Sequence, residues 1–279
     1  MITTAQQDFI EEYAYVPEHM IPYVTAVSQT EPFLLDDFLV YKKKGHLIFV
    51  GYPLKEPFDE SKMVKTFEDA LAHFRPREVA LTAPAIPPSL HIGAYPPSDH
   101  YYRLDLSTLS ISQKLRNMLK RASRELVVER GQIFSDEHRK MVDDFVQTHP
   151  VDEGTRLIFQ RIQFYLSSSA RAWVFNARNK GGELVAFDVA ELGSKHYALY
   201  MFNFNSTALY VPGASDLLLS EVIRQAKPEG KRYLNLGLGI NPGVAFFKKK
   251  WGGVIFLPYA FCTVRPSSRE VVETLFQKL

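Results

Sequence analysis

Residues 232 to 253 read RYLNLGLGINPGVAFFKKKWGG, and they contain an apolar run, a glycine-rich turn and the start of a helix. The short apolar run from Tyr233 to Leu236 enters a pair of glycines, which predicts a buried strand that ends in a turn. Pro242 is typical of the first turn of a helix, because its missing N–H costs little there. We therefore expect a short helix over 244–251, ended by the glycine pair at 252 and 253.

The loop before this stretch predicts an anion-binding helix start. It reads YVPGAS over 210–215 and leads into an apolar-periodic helix expected over 217–227, with Ser215 as its capping residue. Backbone N–H groups at a helix N-terminus attract phosphates and carboxylates. The order loop, helix, strand, glycine turn and short helix brings a helix start and a strand end together. The residues expected to bind an anionic or acyl-bearing donor here are Tyr210, Gly213, Ala214 and Ser215, although a simple capped helix start explains Gly213, Ala214 and Ser215 equally well.

Composition bounds the class of protein. The chain has 279 residues, of which 46% are hydrophobic and 13% aromatic, and its net charge is +2. Such a chain buries a substantial core, and its charge does not by itself indicate nucleic acid or membrane binding. The single cysteine, Cys262, excludes an internal disulfide and a cysteine-built metal site. No apolar run is long enough to span a bilayer, so the sequence predicts a cytoplasmic protein without a metal.

The remaining elements alternate between strands and helices. A hairpin is expected over 38–52 around a Lys/Gly turn, and three strands over 171–177, 183–192 and 196–203 read as an antiparallel meander. Helical spacing appears over 63–74, 136–148, 155–166 and 268–279. The pattern predicts an α/β (α+β) fold with mixed, mostly antiparallel sheets flanked by helices.

The segment from Ser110 to Leu126 predicts a strongly amphipathic helix. Ser110 and Gln113 form a capping-box pattern, and the apolar residues share one face. The opposite side carries Lys114, Arg116, Lys120, Arg121 and Arg124. Two interpretations stay open: a solvated basic face on a core-packed helix, or a docking surface for a phosphate-bearing partner such as a carrier protein, tRNA or anionic lipid.

The order of elements over 110–265 resembles the GNAT acyltransferase fold. Three sequence segments are similar to the FemAB-like branch of this fold: SDLLLSEVIRQA over 215–226, YLNLG over 233–237 and FKKKWGG over 247–253. That branch includes peptidoglycan aminoacyltransferases and the catalytic domain of phosphatidylglycerol lysyltransferases. The resemblance implies tandem GNAT-like domains, a degenerate one over 1–109 and a catalytic one over 110–279, the second opened by the basic helix.

Two departures from the GNAT pattern bear on the donor. The pyrophosphate loop of acetyl-CoA enzymes begins with Arg or Gln, whereas that slot here holds Tyr210. The slot of the tyrosine that many GNAT enzymes use as general acid holds Lys248. An acyl carrier or an aminoacyl-tRNA therefore becomes a candidate donor beside acyl-CoA.

The candidate catalytic residues are Asp188, Lys248 and Asn235. Asp188 stands among apolar neighbours on a strand, where burial would raise its pKa and make it a general base. Lys248 would protonate a leaving group or neutralise a phosphate, although at least two lysines of the KKK run are expected to be solvated. Asn235 would orient an acyl group, and Asn203, with Tyr200, would line the donor cleft. A hydrogen bond within the sheet explains the presence of Asp188 among apolar residues equally well.

The functional hypothesis is acyl or aminoacyl transfer to a small-molecule or lipid amine. A GNAT-derived binding or scaffold protein without chemistry is the alternative, and a third is lipid aminoacyl transfer at the membrane surface, guided by the basic helix. Whether the two halves share one cleft, and whether the chain forms a homodimer through strand edges, stays open.

Overall fold

The computed structural model describes residues 2–55, 57–90 and 98–266. Eleven strands form one continuous sheet in these ranges. The strands are β1 (Glu31–Leu35), β2 (Phe38–Lys43), β3 (His46–Val50), β4 (Glu78–Ala83), β5 (Ser98–Asp105), β6 (Leu126–Gly131), β7 (Ala172–Asn179), β8 (Leu184–Glu191), β9 (Tyr197–Asn205), β10 (Tyr233–Leu238) and β11 (Val254–Val264). The α-helices are α1 (Thr4–Tyr13), α2 (Ile21–Ser28), α3 (Glu60–Phe74), α4 (Gln113–Glu125), α5 (Asp136–Thr148), α6 (Glu153–Gln160), α7 (Ile162–Ser168), α8 (Ala214–Ala226) and α9 (Pro242–Lys250).

Strands from the N-terminal and C-terminal parts of the chain alternate in the middle of the sheet. Its order is β1-β2-β3-β4-β11-β5-β10-β9-β8-β7-β6. The early strand β5 lies between β10 and β11, and the late strand β11 pairs with β4. Most pairs are antiparallel, whereas β3 with β4 and β9 with β10 are parallel. The division into domains at residue 109/110 stays a prediction, and the strands on either side of it share one sheet.

Apolar cores lie on both faces of the sheet. Helices α4, α8 and α9 cover β5–β10 on one face, and α3 covers the β2–β4 end of that face. On the opposite face α1 and α2 pack on one part of the sheet and α5, α7 on another. Tyr101 and Tyr102 illustrate the alternation, because they contribute to cores on opposite faces.

The predicted architecture is confirmed, with shifted boundaries. The hairpin, the meander and the strand–helix–strand run through β10, α9 and β11 all form. Helix α4 begins after Ser112, whose hydroxyl accepts the N–H of Leu115, so the capping residue predicted at Ser110 is wrong. The single helix predicted over 155–166 is two helices, α6 and α7, with Arg161 between them. The helix predicted over 268–279 lies outside the described residues.

Candidate active site

A split opens between the parallel strands β9 and β10. They pair at Tyr233 with Tyr197, Leu234 with Ala198 and Asn235 with Leu199. Beyond that point β9 continues along β8 to Asn205, and β10 continues along β5 to Leu238. Backbone groups of diverging strands are available to an extended ligand. We call this region the β9–β10 split.

A β-bulge on β9 sets which side chains face the split from the α8 side. Val189 pairs with Phe202 and Ala190 pairs with Tyr200, so Met201 is the extra residue. A bulge of this kind reverses the alternation of side chains. Tyr200 and Asn203, three positions apart, consequently both lie on the face covered by α8, as their proposed place in one cleft requires.

Asp188 lies at the centre of a buried polar network. Its Oδ1 accepts the amide of Asn203 at 2.5 Å, and the Ser215 hydroxyl at the start of α8 donates to Oδ1 of Asn203 at 3.2 Å. The pKa of Asp188 is raised to about 8, mainly by burial and to a smaller extent by the charge of Asp216, against the lowering effect of hydrogen bonds from Asn203 and Tyr200. The Tyr200 hydroxyl lies beside the Asp188 carboxyl, where burial and the charge of Asp188 raise the pKa of Tyr200, and neither this hydroxyl nor Oδ2 of Asp188 has a second hydrogen-bond partner within the described residues. Tyr200 therefore belongs to the same buried polar network as Asp188.

The start of α8 is built differently from the prediction. Gly213 is the capping residue, with a left-handed φ of 87°, and Ala214 is the first helical residue, so the assignments of Ser215 as cap and of the helix start at 217 are wrong. In the described chain no acceptor is bound by the backbone N–H groups of Ser215 and Asp216. Such groups at a helix start can hold an anion. Tyr210 is 68% exposed and stands apart from this network.

The first turn of α8 is tied to the end of α9. Asp216 accepts the indole N–H of buried Trp251 at 2.9 Å and pairs with Lys250 at 2.6 Å. These contacts fix the two helices relative to each other on one face of the sheet. A carboxylate at this position also interacts favourably with the helix dipole.

Lys248 is buried beside the split. Only 4% of the residue is exposed, and its Nζ donates to the carbonyl of Leu238 at the end of β10. Burial lowers the pKa of Lys248 to about 7, partly opposed by the charge of Asp99. Of the three consecutive lysines only Lys249 is exposed, because Lys250 pairs with Asp216, so the expectation that at least two are solvated is wrong.

Gly237 lies on β10 two residues beyond its last pair with β9. A Cβ built on Gly237 would lie 3.6 Å from Nζ of Lys248 and 3.7 Å from the carbonyl oxygen of Tyr200. Its φ of 76° is left-handed, a conformation that glycine adopts readily. Lys248 and the carbonyl of Tyr200 on β9 therefore face one small space across Gly237.

Asn235 shapes β10 at the point where it leaves β9. Its amide donates to the carbonyl of Tyr15 at 2.8 Å, and its Oδ1 accepts the N–H of Gly237 at 2.8 Å. Both ends of this side chain are thus occupied by backbone groups, and 1% of the residue is exposed. Asn235 holds the irregular register between Asn235 and Leu238 and joins it to the N-terminal segment.

The basic helix α4 crosses the start of α8. A Cβ on Gly213 would lie 2.9 Å from Cγ of Met118 and 3.4 Å from Cβ of Ala122. The five basic side chains are exposed. We call them the α4 basic surface: Lys114, Arg116, Lys120, Arg121 and Arg124. Within the described residues none of them forms an ion pair, which leaves this positive charge available next to the α8 N-terminus.

Several other features lie away from this site. A cavity of about 280 Å³ lies at the opposite ends of β9 and β10, beside Glu12, His196 and Arg232, and none of the predicted site residues lines it. The described residues contain no cluster of three or more His, Cys, Asp or Glu that could hold a metal ion. No helix in the same ranges is long and apolar enough to cross a membrane.

The structure brings most of the predicted residues together in two groups. Asp188, Asn203 and Ser215 are linked by hydrogen bonds, and Lys248 lies with Asn235 around Gly237. Sequence reasoning missed the bond between Asp216 and Trp251. The acidic residue in the first turn of a helix was the available signal, but it is more typical of a simple interaction with the helix dipole.

Comparison with known proteins supports the fold. No model of a known protein family matches the sequence, and a search of curated proteins gave no match. Among solved structures, the chain is similar to L-PGS from Bacillus licheniformis, with a TM-score of 0.59 and 17% identity over 98% of this chain and 97% of that chain. It is similar to FemX, with a TM-score of 0.60 and 10% identity over 98% and 99% of the two chains.

A third similar structure is a tandem GNAT protein from the clavulanic acid biosynthesis pathway. Its TM-score is 0.51 and its identity 13%, over 81% of this chain and 78% of that chain. At these identities the similarity establishes the fold alone. The chain therefore has the fold that FemX, L-PGS and the tandem GNAT protein share.

Proposed function

We propose that this protein transfers an acyl or aminoacyl group to an amine, with the reaction in the β9–β10 split. The observation that carries the proposal is the diverging pair of parallel strands with buried Lys248 beside it. An acyl chain can lie along backbone groups that the partner strand no longer uses. Positioning of this kind supplies a large part of the barrier reduction in a two-substrate reaction.

The donor would bind along the α8 face through its phosphates. The N–H groups at the start of α8 and the adjacent α4 basic surface provide matching positive potential. Tyr210, Gly213, Ala214 and Ser215 form the loop that the donor would approach, and Asn203 presents its amide beside them. Acyl-CoA, an acyl or aminoacyl carrier and aminoacyl-tRNA share this anionic chemistry.

The reaction needs one proton removed and one supplied. The amine nitrogen attacks the carbonyl carbon of the donor, a C–N bond forms, and the bond to the donor's sulfur or oxygen breaks with its electron pair. The nitrogen gains a positive charge as the C–N bond forms and must lose a proton, and the leaving atom must gain one. With its pKa lowered to about 7, Lys248 populates both protonation states near neutrality and fits this exchange.

Asp188 and Asn235 would position other groups of the site. With a pKa of about 8, Asp188 is mostly protonated at neutral pH, and it can act as a base only at higher pH, where it is deprotonated. Through Asn203 it orients the groups at the start of α8. Asn235 keeps Gly237 and the end of β10 in position for the acyl group.

The test is a transfer assay with mass-spectrometric detection of the acylated amine. Donors would be acetyl-CoA, longer acyl-CoAs and aminoacyl-tRNA, and acceptors would be alkylamines and an amine-bearing lipid in vesicles. We expect Lys248→Met to lower the rate by about a hundredfold, while Lys249→Met on the exposed side of α9 leaves it unchanged. Equal rates for the two variants would refute the role of Lys248.

Substitutions in the α4 basic surface distinguish binding of a donor from binding of a membrane. Replacing Lys120, Arg121 and Arg124 by Glu should weaken binding of a polyanionic donor and reduce its salt dependence. Loss of binding to anionic vesicles instead would favour lipid aminoacyl transfer. Donor binding without turnover across the whole panel would favour a binding or scaffold protein.

A further inference from the structure

A cavity of about 280 Å³ lies where the parallel strands β9 and β10 begin. The end of α1 forms one side of it, and the residues at the start of the two strands form the other. We call it the α1 cavity, and its lining includes Glu12, Tyr13, His196, Tyr197, Arg232 and Tyr233. A space of this size is at the lower end for ligand pockets, which suits a small molecule.

Tyrosine rings supply the apolar part of this cavity. Tyr13, Tyr197 and Tyr233 are half-buried, so part of each side chain stays accessible. The centroids of the Tyr197 and Tyr233 rings lie 5.0 Å apart. Arg103 on β5 holds this pair, because its guanidinium lies 4.4 Å from the centre of the Tyr233 ring and donates to the Tyr197 hydroxyl at 3.0 Å. Adjacent, fixed aromatic rings favour a planar aromatic ligand.

The hydrogen-bond acceptors on the α1 side of the cavity already have donors. The Glu12 carboxylate pairs with the ammonium of Lys195 at 2.6 Å. The carbonyl of Glu11 accepts the backbone N–H of Lys195 at 2.7 Å, and the carbonyl of Ala14 accepts the Ser194 hydroxyl. A ligand that brings mainly donors would therefore have to compete with these bonds.

The free group of the cavity is a cationic donor. Within the described ranges the guanidinium of Arg232 forms no hydrogen bond or ion pair, and it lies 4.9 Å from the centre of the neighbouring Tyr233 ring. Hydrogen bonds from Ser107 are the main cause of the lowered pKa of Asp105, and the charge of Arg232 is a smaller one. Arginine carries five N–H donors in a planar fork. The α1 cavity therefore offers positive charge and donors to a ligand that brings acceptors.

The charges around the cavity favour a monoanion. Burial is the main cause of the raised pKa of Tyr197, and the guanidinium groups of Arg103 and Arg232 oppose it. Both cations therefore lie near the phenol at the start of β9. A carboxylate accepts two parallel N–H bonds from one guanidinium. The carboxylate of Glu12 on the α1 side would repel a second negative charge, so a carboxylate suits the cavity better than a phosphate dianion.

We propose that the α1 cavity binds a small aromatic carboxylate, with its carboxylate on Arg232 and its ring among the three tyrosines. The site lies at the first pair between β9 and β10, Tyr197 with Tyr233, whereas the β9–β10 split opens beyond their last pair. It is therefore separate from the place of the proposed reaction. Binding needs neither a donor nor an amine, so this proposal does not depend on the transferase function.

The test measures binding of benzoate by ligand-observed NMR, with benzyl alcohol as the uncharged aromatic probe and cyclohexanecarboxylate as the charged, non-aromatic probe. We expect Arg232→Gln to weaken benzoate binding by about tenfold or more, because it removes the cation and the paired N–H donors. Arg224→Gln removes an exposed guanidinium that pairs with Glu221 on α8, and should leave binding unchanged. Tyr13→Phe, which keeps the ring, should retain binding, whereas Tyr13→Leu should weaken it.

Selective, Arg232-dependent binding of benzoate would support the site, whatever the outcome of the transfer assay. Equal binding of benzoate to the wild type and Arg232→Gln would overturn it, as would equal binding of benzoate and benzyl alcohol or no benzoate binding to the wild type. Equal binding of benzoate and cyclohexanecarboxylate would overturn the assignment to aromatic carboxylates. Circular dichroism on each variant establishes that a loss of binding is not a loss of folding.

Discussion

Lys248 should make folding stability depend on pH in a way that one substitution removes. Burial lowers the pKa of Lys248 from 10.5 to about 7 in the folded protein. Between these values the unfolded chain holds a proton that the folded chain lacks. Stability should therefore fall as the pH is lowered through this window and rise as the pH is raised.

The magnitude follows from the width of the window. Each pH unit in which only the unfolded state binds the proton is worth about 1.4 kcal/mol. From pH 7 to pH 9 the contribution of Lys248 should thus grow by about 2–3 kcal/mol. Lys248→Met removes the titrating group and also the hydrogen bond to the Leu238 carbonyl, at a cost of about 1 kcal/mol that varies little with pH.

The assay is urea unfolding of the wild type and Lys248→Met at several pH values from 7 to 9. The difference in unfolding free energy between the two proteins should shift by about 2–3 kcal/mol in favour of the wild type as the pH rises. Lys249→Met, at an exposed position of the same helix, controls for general effects of removing a lysine. If the stabilities of the wild type and Lys248→Met stay parallel over this range, the buried, proton-poor state of Lys248 is refuted.

Two further substitutions test the neighbouring parts of the site. Burial raises the pKa of Asp188 from 3.8 to about 8, so wild-type stability should fall as the pH rises between these values. Relative to Asp188→Asn, the wild type should lose about 2–3 kcal/mol of unfolding free energy from pH 5 to pH 7 in urea unfolding. A difference between the two proteins that does not change with pH would contradict a raised pKa of Asp188. Gly213→Ala adds a Cβ 2.9 Å from Met118, whereas Gly230→Ala meets no atom within 4 Å at a similar left-handed φ. The first should cost about 1 kcal/mol more than the second, and equal unfolding free energies would argue against close packing of α4 on the start of α8.

The elements of the C-terminal half are predictable because their signals are local. The meander has alternating apolar residues between Gly-containing turns, and α9 lies between Pro242 and the Gly252–Gly253 pair. These patterns depend on neighbours along the chain, which the sequence displays directly. Boundaries move by a few residues because several residues can serve as a cap, as Gly213 does instead of Ser215.

The site itself depends on contacts between distant residues. The bulge at Met201 arises from the register of β9 against β8, and it places Tyr200 and Asn203 on one face against simple alternation. Lys248 has the sequence environment of a solvated lysine, and only the packing of α9 on β10 buries it.

Paired glycine substitutions test the proposal that acyl transfer takes place in the β9–β10 split. Gly237→Ala and Gly252→Ala both place a Cβ at a left-handed φ, of 76° and 88°, and should cost similar stability, about 1 kcal/mol. Only the Cβ on Gly237 enters the space between Lys248 and the carbonyl of Tyr200, since the one on Gly252 meets no atom within 4 Å. We expect single-turnover transfer to slow by about tenfold or more in Gly237→Ala and to keep its rate in Gly252→Ala. Equal transfer rates in the two folded variants would contradict it.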